Sequence, residues 1–316
     1  MRHLKLLTIL LFLALPTLAY GDIGNIPGTA TWYFHADFEA MRKGDASKGL
    51  YDWLDGEVFE ELRSETGIDL GKEARQLTAY AGQARGPVIV LDGKISQETK
   101  DKVLAIAAID GELETFKSSG KAYYLFDADD ADDADDDDHD TDSGNIDIEI
   151  GSLEEEAYVS VALKNKIVIT NTREQMEALL AGNGRIKSEK KAKNALFVLR
   201  AERSLVQAGV NADEIDVDDD GGWDSNILKN TRKVAVLLAD LGDKLGIEAR
   251  LLTEEPDMAN SMASIIRGLI GLQIFDDEMD PEMATILQST QVDVSGSELK
   301  ISLALEPDTV VSALEN

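Results

Sequence analysis

Asp216, Asp218 and Asp220 occupy alternate positions in "DVDDDGGWDSNI" (216–227), with Gly221 and Asp224 following. Alternating carboxylates converge on a hard cation if the chain turns sharply, and a glycine at the sixth position permits the turn. The run therefore opens like a calcium loop of EF-hand type. Its twelfth position, where a bidentate glutamate closes such loops, is Ile227. Calcium held by Asp216, Asp218, Asp220 and Asp224 is expected to bind weakly. The simpler alternative is an acidic loop whose Asp224 caps a helix starting at Ser225.

A looser version of this spacing, "DHDTDSGNIDIE" (138–149), offers Asp138, Asp140, Asp142 and Glu149, but places Ser143 at the sixth position and Gly144 one residue late. It overlaps "DADDADDADDDDHDTD" (127–142), in which eleven of sixteen residues are aspartate. With so many aspartates some spacing matches arise by chance. Like charges at this density repel one another, so the expectation is a solvated, disordered insertion over 127–143.

Other chemistry has few residues to work with. His35 lies two residues before Asp37 on a predicted strand, so the two side chains share a face, and a His-Asp pair can orient a base. No G-x-S-x-G nucleophile turn accompanies it, and the plainer expectation is a strand-end histidine bonded to a neighbour. The chain contains no cysteine, which removes thiol nucleophiles, thiolate metal sites, disulfides and a lipid-bearing cysteine. No glycine-rich phosphate loop is present. Among 61 acidic residues no carboxylate pair stands out as acid and base. Met258, Met262, Met279 and Met283 are expected to fill a core.

The N-terminus, "MRHLKLLTILLFLALPTLAYGD", has a basic start, an apolar run from Leu6 to Leu15, Pro16 and a small-residue exit. This is the layout of a secretory signal peptide over residues 1–21, cut before Asp22 with Ala19 and Gly21 at the small-residue positions; Thr17 and Ala19 offer a second site. The apolar run is shorter than the roughly 20 residues a membrane-spanning helix needs. Cleavage moves the net charge from −30 to −32, because the leader carries Arg2 and Lys5 and no acid. Such a surface repels phosphate backbones, so nucleic acid is excluded as a partner. The segment "MANSMASIIRGLIGLQIF" (258–275) is interrupted by polar residues and predicts a buried helix with no membrane-spanning role.

The elements that must position these residues follow from periodicity. "TATWYFHA" predicts a strand, and "DFEAMRKGDASKGLYDWLDGEVFEELRSETG" a helical segment kinked near Gly44, Gly49 and Gly56 and stopped at Gly67, with Leu50, Trp53, Leu54, Val58, Phe59 and Leu62 on its apolar side. Hairpins are predicted for "RQLTAYAGQ" with "GPVIVLDG", for "LETFKSSG" with "KAYYLFD", and within "AYVSVALKNKIVITNT". A helix capped by Ser96 carries Val103, Leu104, Ile106 and Ala107, and another starts at Thr172 and stops near Gly182. The second half gives a strand "NALFVLRAE", helical "SNILKNTR", a hairpin "KVAVLLADLGDKLGIEARLLT", a helix from Pro256, a hairpin "VDVSGSELKISLALE" and a helix "DTVVSALEN".

Both halves thus have the order strand, helix, hairpin, helix, hairpin, helix. This predicts an α+β fold of two tandem repeats, each an antiparallel meander sheet with helices covering one face, packed side by side. The first repeat would span 22–190 with the acidic insertion 127–143, and the second 191–316.

The stretches "TATWYFHADFEAMR", "TGIDLGKEARQLTAYAG" and "KIVITNTREQ" carry a further pattern: an opening strand ending in A-D, a G-[IV]-D-L step and a closing K-[IV]-V-I-T-[NS]-[ST]-x-E turn. In these the chain resembles a loose group of exported bacterial proteins, over Thr29 to Gly182. That resemblance implies architecture only and carries no site residues.

The functional expectation is an exported binding, scaffold or accessory protein of the periplasm or cell exterior, without an enzymatic role. The alternatives are a calcium-responsive protein using the aspartate loops and, third, a hydrolase.

Overall fold

The computed structural model describes residues 30–82, 85–108, 113–127, 156–186, 194–202, 231–274 and 281–315. The predicted leader (1–21), the acidic run beyond Asp127 and the spacing at 216–227 lie outside them.

Twelve strands form one antiparallel sheet. They are β1 (Ala30–Asp37), β2 (Ala74–Gly82), β3 (Arg85–Gly93), β4 (Glu114–Ser118), β5 (Lys121–Asp127), β6 (Glu156–Ser160), β7 (Lys166–Thr170), β8 (Ala195–Glu202), β9 (Thr231–Asp240), β10 (Leu245–Thr253), β11 (Gln291–Ser295) and β12 (Glu298–Leu305). Their order is β11-β12-β10-β9-β8-β1-β2-β3-β7-β6-β5-β4. The expectation of two sheets is corrected by the central pair, in which β1 runs antiparallel to β8 from Trp32 opposite Ala201 to Ala36 opposite Phe197. A strand edge left open on each half would expose a row of unpaired backbone groups, and the pairing closes both. The order also departs from a meander: β3 pairs with β7, and β10 with β12.

Nine helices are described: α1 (Phe38–Lys43), α2 (Lys48–Leu54), α3 (Glu60–Thr66), α4 (Leu70–Glu73), α5 (Gln97–Ala107), α6 (Arg173–Ala181), α7 (Pro256–Ile274), α8 (Pro281–Ser289) and α9 (Pro307–Glu315). A π-helical stretch, Asp55–Phe59, joins α2 to α3. Of the three glycines expected to kink the segment, Gly44 ends α1 with an extended backbone, Gly49 lies inside α2 and Gly56 lies in the π-helical stretch. An added Cβ at Gly44 would collide with Asp240 and Ser47, so glycine also allows the close approach. Gly67 ends α3 at φ 67°, the left-handed conformation glycine adopts without strain. Ser96 caps α5 and Thr172 caps α6, the latter through a reciprocal capping box with Gln175.

Three local expectations are corrected. Ile106 of α5 is 37% exposed, while Thr99 and Lys100 of that helix are buried; Lys100 turns inward because its ammonium donates to the carbonyls of Leu163 and Lys164. Of the residues expected on the first helical segment's apolar side, Leu50 and Phe59 are buried but Val58 is exposed. Thr231 and Arg232 open strand β9, where the sequence pattern of "SNILKNTR" predicts helix.

Side chains alternate across a strand, so the register divides the sheet into two faces. On the front face Leu91, Leu77, Ala36, Phe197, Leu238, Ile247 and Leu303 stand opposite one another across seven neighbouring strands. All seven belong to the largest core, with Phe38, Met41, Leu50, Tyr51 and Phe59 from the α1–α3 segment and Val310 from α9. A bulge in β8 adds Leu196 to this core, since Ala195 faces Ala239 and Phe197 faces Leu238. Met258 and Met262 of α7 pack over Leu251 and Leu299 on the same face, as the core-filling reading expects of them; Met279 lies outside the described residues.

On the back face α6 lays Met176, Leu179 and Leu180 onto Val88, Val90 and Val168. Helices therefore cover both faces of the sheet. Covering one face alone would leave either the front ladder or the valines of β3 and β7 in water.

Candidate functional site

The back face carries His35 together with tyrosines and paired charges among the described residues. One ladder of opposed residues reads Ser160, Val168, Val90, Thr78, His35, Val198, Leu237, Glu248, Ser302 and Gln291, from β6 to β11. The next reads Tyr158, Thr170, Val88, Tyr80, Tyr33, Arg200, Ala235, Arg250, Lys300 and Asp293. The second passes from apolar and aromatic on the α6 side to charged on the β12 side, and the first reaches its one charged residue, Glu248, at β10. In the second ladder the change comes at the β1–β8 pair, where Tyr33 faces Arg200.

His35 is buried in β1, with Nδ1 2.8 Å from Thr78 Oγ1 on β2 and its ring stacked near Tyr33. Asp37 has structural work: Oδ1 accepts from the Ala40 N–H at 2.9 Å, capping α1, and Oδ2 accepts from Gln76 Nε2 at 2.6 Å. Each Asp37 oxygen thus serves the frame, one at a helix start and one on a neighbouring strand. Tyr80, in the next ladder, has its phenol pushed up by burial.

Beyond the β1–β8 pair the back face carries ion pairs. Glu248, 1% exposed, accepts from Arg250 Nε at 2.5 Å, and Arg250 Nη1 also lies 3.6 Å from Glu298. Lys233 meets Glu202 at 2.9 Å, and Lys300 meets Asp293 at 3.6 Å. A buried carboxylate persists only when paired, and Arg250 supplies the partner from two residues along the same strand. Sequence reasoning missed Glu248 and Arg250. Their signal was the i, i+2 spacing of opposite charges in "LGIEARLLT", which sets two charges on one side of an otherwise apolar strand.

On the α6 side the polar atoms hold the helix. Tyr123 Oη donates to Glu177 Oε1 at 2.8 Å, Arg173 Nε donates to the same oxygen at 2.9 Å, and the Arg173 guanidinium lies over the Phe116 ring. These hydrogen bonds hold the Glu177 carboxyl below its ordinary value. Burial, then the bond to Glu177, pushes the Tyr123 phenol up.

Asp216, Asp218, Asp220 and Asp224 lie outside the described residues, as do Asp138, Asp140, Asp142 and Glu149. Among the described residues no three His, Asp or Glu side chains group to hold a metal ion, and no helix is long and apolar enough to cross a membrane.

No protein-family model matches the chain, and no curated protein matches it. Two solved structures similar to it are described as "Structure of crystal form IV of TP0453" and "Structure of crystal form III of TP0453". The first, at 8% identity and a TM-score of 0.46, covers 91% of this chain and 93% of that one. The second, at 8% identity and a TM-score of 0.43, covers 90% and 94%.

Proposed function

We propose that the chain is an exported binding or scaffold protein of the periplasm or cell exterior, without an enzymatic role, built from two copies of one α+β unit joined edge to edge. The observation that carries the scaffold reading is the commitment of the back-face polar groups to the frame. Thr78 meets His35, a helix start and Gln76 engage Asp37, and Arg250 holds Glu248. Groups tied into cross-strand pairs and caps fix register, which is the work of a frame.

Strand order supports the duplication. Outward from β1 come β2, β3, β7 and β6; outward from β8 come β9, β10, β12 and β11. In each half the helical connection after the third strand returns so that the last hairpin docks by its second strand. The β4–β5 hairpin is then an addition to the first unit, outside β6. The basic start, the apolar run and the small residues before Asp22 support export.

Two measurements test the reading. Mass spectrometry of the protein from an envelope fraction should give a mature chain starting at Asp22; an intact leader on cytoplasmic protein would overturn export. Capture of that mature chain with its bound material should recover a stoichiometric partner, whereas turnover of an added ester or glycoside abolished by His35→Ala would replace scaffold with catalysis.

The alternating Asp216, Asp218 and Asp220 favour calcium as a second reading. Calcium should then raise the melting temperature and Asp218→Ala should remove the rise; no shift at millimolar calcium eliminates it.

A further inference from the structure

The outer side of α7 carries two of the exposed large hydrophobic side chains among the described residues, Leu272 the most exposed of them. Ser261, Ile265, Gly268 and Leu272 recur at helical spacing and are exposed, Ile265 to 45% and Leu272 to 71%. The opposite side of the same helix is already packed, through Met258, Met262, Ala263, Ile266 and Ile270, onto β10–β12. Core burial therefore does not explain the outer residues.

Charge and shape narrow what covers them. The chain carries a net charge of −30, so two copies repel wherever carboxylates meet. After Asp257, α7 carries no acid as far as Ile274, a longer acid-free run than in any other described helix. Leu272 projects one turn beyond Gly268 and beside Gly271, and a Cβ added at either glycine would meet nothing within 4 Å. A knob and an open notch four residues apart are self-complementary in an antiparallel helix pair. A dyad between positions 268 and 272 puts each Leu272 into the other copy's notch.

A lipid surface fits less well. Helices that lie on membranes rim their apolar face with Lys or Arg, and the one cation of this run, Arg267, donates to the Val292 carbonyl at 2.5 Å.

We infer that the outer stripe of α7 is a self-association face, and that a second copy of this chain docks on it antiparallel through Ile265, Gly268 and Leu272. This is independent of what the chain binds as a scaffold. Sedimentation of the full chain over a range of concentrations should show a monomer–dimer equilibrium that strengthens with added salt, since screening weakens the repulsion between the acidic bodies.

Leu272→Asp should abolish the dimer with an unchanged circular dichroism spectrum and, at dilutions where both proteins are monomeric, an unchanged melting curve; Gly268→Leu should weaken it by filling the notch. Because the chain has no cysteine, Leu272→Cys mixed with Gly268→Cys should cross-link more than either variant alone. A monomer at every concentration and salt, a dimer indifferent to Leu272→Asp, or a monomer that floats with phosphatidylcholine vesicles through the same residues would each overturn the inference.

Discussion

The back face of the sheet is two surfaces on one frame. On β3 and β7 the ladder positions are Val88, Val90 and Val168, dry beneath Met176 and Leu180 of α6. On β10 and β12 the matching positions in the same ladders are Glu248, Arg250, Lys300 and Ser302. Hydrogen-bond register is continuous through both, so the backbone does not distinguish them. The side chains do: on the back face one side buries apolar residues under α6, and the other pairs charges within and across strands.

Substitutions that exchange these two modes probe the difference. The largest effect is expected on the apolar side. Leu180 is fully buried among Val88, Val90, Tyr123 and Met176, and Leu180→Ala leaves a cavity as well as losing transfer energy. A loss of about 2–5 kcal/mol is expected in urea unfolding. A loss below about 1 kcal/mol would mean that α6 is not clamped to the sheet as described.

The charged side should respond to single and paired changes in opposite ways. Glu248→Ala strands the Arg250 guanidinium in a largely buried setting, with Glu298 at 3.6 Å as a poorer partner. A loss of about 1–3 kcal/mol follows. Glu248→Leu combined with Arg250→Met removes both charges, and should recover most of that loss or exceed native stability, because neither ion is then desolvated. If the double variant is as unstable as the single one, the pair fixes register as well as charge.

These two halves were unequally legible in the sequence. Local signals gave the hairpins, the Ser96 and Thr172 caps and the stop at Gly67, because turn and cap chemistry is written within a few residues. Pairings between distant strands were not readable that way. Nothing local says that β3 passes over β4 to reach β7, or that β1 and β8 close two sheets into one. His35 illustrates the same limit at the candidate site: its proximity to Asp37 was visible, while Thr78 lies 43 residues away and becomes a neighbour only through the β1–β2 register. The aspartate loops, conspicuous in the sequence, lie outside the described residues. The Glu248–Arg250 pair was the reverse case, plain in the fold and easy to overlook in a strand of apolar neighbours.

Thr172 offers a smaller test of the same clamp. Its hydroxyl and the Gln175 amide close the first turn of α6 reciprocally, and Gln175 Nε2 also donates to the Gly86 carbonyl on β3. Thr172→Ala should cost about 1 kcal/mol. Thr172→Ser, which keeps the oxygen, should cost only a fraction of that, and hydrogen exchange should rise in the first turn of α6 before it rises in β7.

The smallest effect is a pH dependence confined to the apolar side. Arg173 and Tyr123 hold the Glu177 carboxyl below its ordinary value, so the folded state binds this proton less readily than the unfolded chain does. The stabilisation is complete above the unfolded glutamate range, and is lost as the pH falls through the lower folded value. Tyr123 works in the other direction: burial and the bond to Glu177 raise its phenol, so its share is complete below the unfolded tyrosine range and fades as the pH rises through the folded value. Glu177→Gln should therefore lower the melting temperature slightly at neutral pH, with the difference from the native chain closing in acid. A difference that stays constant down to acid pH would assign the loss to packing of α6 instead of to the charge on Glu177.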